Sequence, residues 1–172
     1  MPIPIYLSLG SNLGDRERYL HDAIKYLPSV GVAVVRVSPL YETEPVGLRH
    51  QPWFLNCVVE GGTDLSSERL MEQLLHLEKI LGRQREGIPV MGPRTLDIDL
   101  IFYGDSRIAT PELTVPHPRY RQRRFVLAGL AELAPGLKDP ETGRSMAQIL
   151  AQVNDSSQVK RLDPSGWPPP LP

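Results

Sequence analysis

Four β-prone runs and two amphipathic helices, met in a fixed order, constrain this chain more than any single residue does. Residues 3–9, 32–37, 54–60 and 96–103 are short, apolar and rich in β-branched or aromatic side chains, and glycine or proline follows each within two residues. That punctuation is what strands show. Between the first two runs, Asp15 can cap a helix in which Leu20, Ala23, Ile24 and Leu27 share a face, and Pro28 ends it. Between the last two, residues 66–81 carry Leu70, Leu74, Leu77 and Leu81 in one stripe, with Glu68 in the first turn and Gly82 beyond. The order β-α-β-β-α-β predicts an α+β fold with a ferredoxin-like βαββαβ core, in which an antiparallel sheet carries helices on one face. The other face must be covered by extra C-terminal segments or used for binding.

The remaining residues read mostly as loops. Residues 38–52 hold Pro39, Pro45 and Gly47, with a short extended piece near Tyr41, and residues 82–93 form a second long glycine- and proline-rich connection. Residues 106–124 are expected to be irregular, 125–133 return to helical spacing, and 146–153 form a weaker extra helix. The reading is one domain over 1–160, followed by a proline-rich tail, 161–172, with 163–172 extended or mobile. A chain of 172 residues buries a core without crosslinks, and a lone Cys57 excludes an internal disulfide and any multi-cysteine zinc site. A net charge of −1 excludes a globally basic nucleic-acid or membrane coat. No apolar run nears the ~18–20 residues of a membrane span, and the first residues do not form a signal peptide. The expectation is a soluble cytoplasmic protein with no nucleic-acid or membrane partner, and a monomer.

Chemistry concentrates in Arg94-Thr95-Leu96-Asp97-Ile98-Asp99. On a strand, residues two apart share a face about 6.5–7 Å apart along the chain. Two carboxylates so placed can share Mg²⁺, which completes its shell with water and phosphate oxygens, although a solvated sheet face would show the same alternation. Arg83 and Arg85 in the second loop, Arg94 before the acidic strand, and Arg119, Arg121, Arg123 and Arg124 beyond it surround the pair. Guanidinium forks around paired acids point to a metal-bound polyphosphate. Gly10-Ser11-Asn12-Leu13-Gly14-Asp15 lacks the ending of a P-loop and reads as a turn with a helix cap. His21 and His76 read as groups on solvated helix faces. Phe54 and Asn56 share a strand face, where a ring can stack on a flat heterocycle and a carboxamide can pair with its edge. A core aromatic beside a strand-end asparagine would look alike.

Taken together, Gly10-Ser11-Asn12-Leu13-Gly14-Asp15, Ser38-Pro39-Leu40-Tyr41-Glu42-Thr43-Glu44-Pro45-Val46-Gly47, Phe54-Leu55-Asn56, Gly92-Pro93-Arg94-Thr95-Leu96-Asp97-Ile98-Asp99, Val115-Pro116-His117-Pro118-Arg119 and Arg123-Arg124-Phe125-Val126-Leu127 resemble the 6-hydroxymethyl-7,8-dihydropterin pyrophosphokinases, over roughly residues 3–150. That resemblance implies transfer of the pyrophosphoryl group of ATP to the pterin's hydroxymethyl oxygen, with release of AMP, in folate biosynthesis. It implies two Mg²⁺ ions on Asp97 and Asp99, and catalytic roles for Arg83 and Arg94. The pterin would lie between Phe54 and Phe125, read by Asn56 and wrapped by Thr43, Pro45 and Val46. The matching ATP positions are Glu78, Arg85, Leu100, Thr114, His117 and Arg123, and 43–53 and 82–93 resemble the family's lids. Met91 stands where some members place a tryptophan, Gly87-Ile88-Pro89 alters the second lid's spacing, and Pro118 replaces a tyrosine.

Three other readings compete. A metal-dependent nucleotidyl cyclase or phosphohydrolase also pairs aspartates on such a sheet. An RNA-binding module would need exposed aromatics on the central strands, where this chain carries acids. A structural scaffold would leave the arginine and aspartate cluster without a purpose.

Overall fold

The computed structural model describes residues 1–45, 50–82 and 95–172. In chain order the elements are β1 (Ile3–Ser11), α1 (Arg16–Tyr26), β2 (Ala33–Val37), β3 (Leu40–Thr43), β4 (Phe54–Thr63), α2 (Ser67–Ile80), β5 (Asp97–Tyr103), β6 (Ile108–Ala109), β7 (Thr114–Val115), α3 (Arg124–Leu133), α4 (Met146–Gln152) and β8 (Val159–Leu162). The main sheet is antiparallel in the order β5-β1-β4-β3-β8, with β2 also on β4. This is the ferredoxin-like arrangement, with its second strand broken in two. Pro39 has no N–H to offer, so Ser38 bridges the break: its N–H donates to Val58 O (2.9 Å) and its Oγ accepts from Val58 N–H (2.8 Å).

Several elements differ from the sequence reading for local reasons. The third β-run does not close at Gly61-Gly62; both glycines stay in β4 because β1 and β2 pair with them from opposite sides. The expected extended piece near Tyr41 is a full strand, since β4 and β8 flank it. Within 106–124, a β6–β7 hairpin and a 3-10 turn at Tyr120–Gln122 replace the expected irregular chain. Helix ends follow the capping chemistry: Asp15 Oδ1 accepts from Arg18 N–H and Ser66 Oγ from Arg69 N–H, while Ser145 and Gln148 form a capping box.

Pleating assigns the sheet's two faces. Leu7, Leu9, Leu55, Cys57, Val59, Ile98 and Leu100 pack under α1 and α2. On the opposite face, Tyr6, Val58, Ile101 and Phe102 pack under α3 and α4 with Val126, Leu127, Leu130 and Ile149. Gly129 lets α3 sit close, because a Cβ there would fall 2.5 Å from Val58 Cγ2. So extra C-terminal helices do cover the second face, but only part of it. The 161–172 segment has partners: its first two residues complete β8 in the sheet, a turn closes between Pro164 and Trp167, and the Trp167 Nε1–H donates to Ser38 O at 3.0 Å. His21, expected on a solvated helix face, packs edge-on against Trp167 at 5.1 Å. Among the described residues, no helix is long and apolar enough to cross a membrane.

Candidate active site

The open part of the second face lies where β1 ends and β4 and β5 begin. Gly10 pairs with Asn56 on one side and Asp97 on the other, and Ser8 pairs with Val58 and Asp99. Asp97, Gly10 and Asn56 thus stand in one row, and two inter-strand spacings put the outer pair about 10 Å apart. Asp99 lies one row nearer α3. Gly10 is required here: a Cβ would fall 2.6 Å from Asn56 Oδ1 and 3.5 Å from Phe54 Cδ1. Its absence lets a carboxamide and an aromatic ring lean over β1 toward the acids.

Each polar group in the row is oriented by a neighbour. Asn56, 5% exposed, donates its Nδ2–H to Thr43 Oγ1 at 2.6 Å, and Thr43 is itself buried. Arg123, whose Nη1 is 3.6 Å from Asp99 Oδ2, also lies 5.9 Å from the Phe125 ring centre at the start of α3. Pro45 is buried. His117 is half-buried beside the acids; its backbone N–H donates to Ile101 O (3.0 Å), and its Nδ1 accepts from Arg119 N–H (3.1 Å). Burial, then Arg123 and Arg119, push its pKa down to about 4 against the pull of Asp97. At neutral pH it is therefore uncharged. With Nδ1 accepting, the proton sits on Nε2, which can donate to an anionic or hydroxyl oxygen.

Other predicted site residues are placed differently. Glu78 is 2% exposed, and its Oε2 accepts the Ile98 N–H at 2.8 Å, so it holds the strand residue between the two aspartates. Leu100 packs its side chain on the α1/α2 face. Its backbone shares the outer edge of β5 with that of Ile98, two residues earlier. Thr114 is exposed on β7 and lines an open cavity of about 380 Å³ with Arg107, Ile108, Ala109 and Glu141. Val46, Arg83, Arg85 and Arg94, with Met91 and most of the two lids, lie outside the described residues.

Arg121, Arg123 and Arg124, alike in sequence, separate in space. Arg123 faces Asp99. Arg121 binds Asp139 through Nε and Nη2 and reaches Glu141 at 3.1 Å, while Tyr120 donates its hydroxyl to Asp139 at 2.5 Å. Those bonds outweigh burial and hold the Asp139 carboxyl far below the usual range. Arg124 Nε donates to Asp155 O and its N–H to Asp155 Oδ2, both at 2.9 Å. Asn12 is the residue that pattern reading undervalued. Its buried Nδ2 donates to Gln51 Oε1 (3.0 Å) and Pro52 O (2.9 Å), tying the turn after β1 to the approach to Phe54.

The carboxylates suit a hard cation. Among the described residues no group of three or more His, Cys, Asp or Glu could hold a metal. Two half-exposed aspartates on one strand face leave most of an octahedral shell to water and phosphate, as Mg²⁺ prefers. An acid pair beside an arginine, one strand away from a carboxamide and an aromatic ring, is an arrangement able to bring a polyphosphate to a flat heterocycle.

Comparison with known proteins makes this particular. Residues 6–135 match the 7,8-dihydro-6-hydroxymethylpterin-pyrophosphokinase (HPPK) family. A Bacillus subtilis 2-amino-4-hydroxy-6-hydroxymethyldihydropteridine pyrophosphokinase is 44% identical over 144 residues, 83% of this chain and 85% of that one. The folic acid synthesis protein fol1 of Pneumocystis carinii is 40% identical over 151 residues, 88% of this chain but 20% of its own length. A Plasmodium falciparum HPPK-DHPS crystal structure with pterin and p-hydroxybenzoate superposes with a TM-score of 0.70 at 14% identity. That match covers 88% of this chain and 44% of the other, and its likeness is one of fold. This chain belongs to the 7,8-dihydro-6-hydroxymethylpterin-pyrophosphokinase family. Its 6–135 stretch is a pyrophosphokinase domain of folate biosynthesis.

Proposed function

We propose that the protein transfers the intact pyrophosphoryl group of ATP to the hydroxymethyl oxygen of 6-hydroxymethyl-7,8-dihydropterin, using two Mg²⁺ ions and releasing AMP. The observation that carries this reading is the row Asp97–Gly10–Asn56, in which a carboxylate and a carboxamide stand one strand apart on an open sheet face. The pterin lies between Phe54 and Phe125, with Asn56 reading its amino-pyrimidinone edge while Thr43 keeps the amide in orientation. Pro45 and Val46 wrap the same ring.

Asp97 and Asp99 hold the metal. The chemistry that a pair of Mg²⁺ ions supplies when bound is charge neutralisation along the triphosphate and alignment of its β-phosphorus with the hydroxyl oxygen. Glu78 keeps the backbone between the aspartates in place through Ile98. Arg123 and the Nε2–H of His117 take phosphate or ribose oxygens, Leu100 offers backbone to the nucleotide, and Thr114 and Arg85 complete that subsite. Arg83 and Arg94 stabilise charge on the transferred group and on AMP. In the transfer, the hydroxymethyl oxygen forms a bond to the β-phosphorus. The bond from that phosphorus to the oxygen bridging to the α-phosphate breaks, its electron pair leaves on AMP, and the hydroxyl proton passes to solvent. Positioning and electrostatics are sufficient for such a step.

The same reading takes the protein as a cytoplasmic monomer with a single domain, into whose sheet β8 carries residues 161 and 162, and without nucleic-acid or membrane partners. Product analysis with ATP, Mg²⁺ and 6-hydroxymethyl-7,8-dihydropterin tests it. AMP appearing one-for-one with a pterin diphosphate, only with metal, is the expected result. ADP, inorganic phosphate or cyclic AMP would overturn it.

A further inference from the structure

The family match ends at residue 135, yet the chain beyond it returns to the heterocycle side of the site. β8 runs antiparallel to β3, with Leu162 opposite Leu40 and Val159 opposite Thr43. Past Thr43 the pairing continues through a side chain. Glu44 N–H donates to Gln158 O at 3.2 Å, and Gln158 N–H donates to Glu44 Oε1 at 2.5 Å. Lys160 Nζ stands 5.7 Å from the ring centre of Trp53, the residue before Phe54. The C-terminal segment therefore touches the chain on both sides of residues 46–49.

Its far end is fixed as well. Trp167 donates to Ser38 O at 3.0 Å and packs on His21, and Arg161 Nη1 is 3.2 Å from Glu132 on α3. Between these anchors lies Thr43, whose Oγ1 takes the Asn56 amide proton. A strand that merely covered the edge of β3 would need only ladder bonds. The Glu44 and Lys160 contacts reach past the ladder to the two ends of the pterin-wrapping segment.

We infer that β8 is a positioning element for the pterin subsite: it fixes Thr43, and through Thr43 the Asn56 amide, while Gln158 and Lys160 hold the flanks at Glu44 and Trp53. This rests on the reading that Phe54 and Asn56 receive the pterin. The test uses the full chain with ATP, Mg²⁺ and 6-hydroxymethyl-7,8-dihydropterin. Glu44→Ala should raise the KM for pterin roughly three- to tenfold, the worth of one lost hydrogen bond, with kcat and the KM for ATP within about twofold. Glu44→Gln retains an acceptor oxygen and should restore the wild-type KM. Lys160→Ala, at an exposed position, should shift the same constant less.

Asn56→Ala is the reference. If it leaves the KM for pterin unchanged, the pterin-site reading fails and takes this inference with it. If it raises that KM while Glu44→Ala and Lys160→Ala do not, the inference alone is overturned. Equal rises in both KM values for Glu44→Ala, or no rescue by Glu44→Gln, would also overturn it.

Discussion

One face of the sheet is built in two ways. Under α3 and α4, Tyr6, Val58 and Phe102 interlock with Tyr120, Val126 and Leu130, and Phe102 meets Tyr6 and Tyr120 edge-on at 6.1 and 5.0 Å. From the row that Val58 shares with Asp99 onward along β1, β4 and β5, the positions on that same face are Asp99, Asp97, Gly10 and Asn56. The strands run through both halves, with one register shift of β5 against β1 where Tyr6 pairs with Phe102 and Leu7 with Leu100. What changes is that the covered half gains from apolar burial and packing density, whereas the open half holds polar groups in fixed orientations and leaves their remaining capacity to a ligand. Substitutions in the first should therefore cost stability, and in the second, activity.

The sharpest way to break that comparison is at the acids. Asp97→Ala and Asp99→Ala are each expected to lower kcat by about a thousandfold or more, since metal-based charge stabilisation is worth several kcal/mol. The urea midpoint should stay near wild type. Near-normal AMP formation by either variant would remove the metal assignment. In the covered half, Phe102→Ala should cost about 3–5 kcal/mol of stability by urea unfolding, with both KM values retained by the folded fraction. Gly10→Ala tests the boundary. Its Cβ would displace the Asn56 carboxamide, so the KM for pterin should rise by about tenfold while stability drops by about 1 kcal/mol. An unchanged KM would show that the amide does not read the pterin.

The smallest effect is in pH. The His117 pKa is pushed from the usual 6.5 down to about 4 by burial and two arginines. Between those values the unfolded chain binds the proton more readily, so the native state loses stability as pH falls through that window. Above it the contribution is fully present. His117→Gln should flatten the slope of the urea midpoint between pH 6.5 and pH 4, and an unchanged slope would mean another group titrates there.

Much of this site was legible before any fold was known. The alternation Leu96-Asp97-Ile98-Asp99-Leu100 places both acids on one face, and the pleat of β5 keeps them there. Phe54 and Asn56 share a face for the same reason. The arginines were not legible in this way. Arg121, Arg123 and Arg124 lie within four residues, yet one binds Asp139, one faces Asp99 and one holds Asp155. Glu78, matched by resemblance to a nucleotide position, supports Ile98 through its backbone N–H, a contact that the sequence did not reveal.

Period and punctuation by themselves determined the four strands β1, β2, β4 and β5, the two amphipathic helices between them, the ferredoxin-like order and the facing of Asp97 with Asp99, because these depend on residues within a few positions of one another. Only the tertiary structure decided that Gly10 lies between Asn56 and Asp97, that Ser38 bridges a broken strand, and that the last strand returns to β3. Those contacts join residues 20 or more positions apart, through strand register and long-range hydrogen bonds, and such pairings leave no periodic trace in the chain.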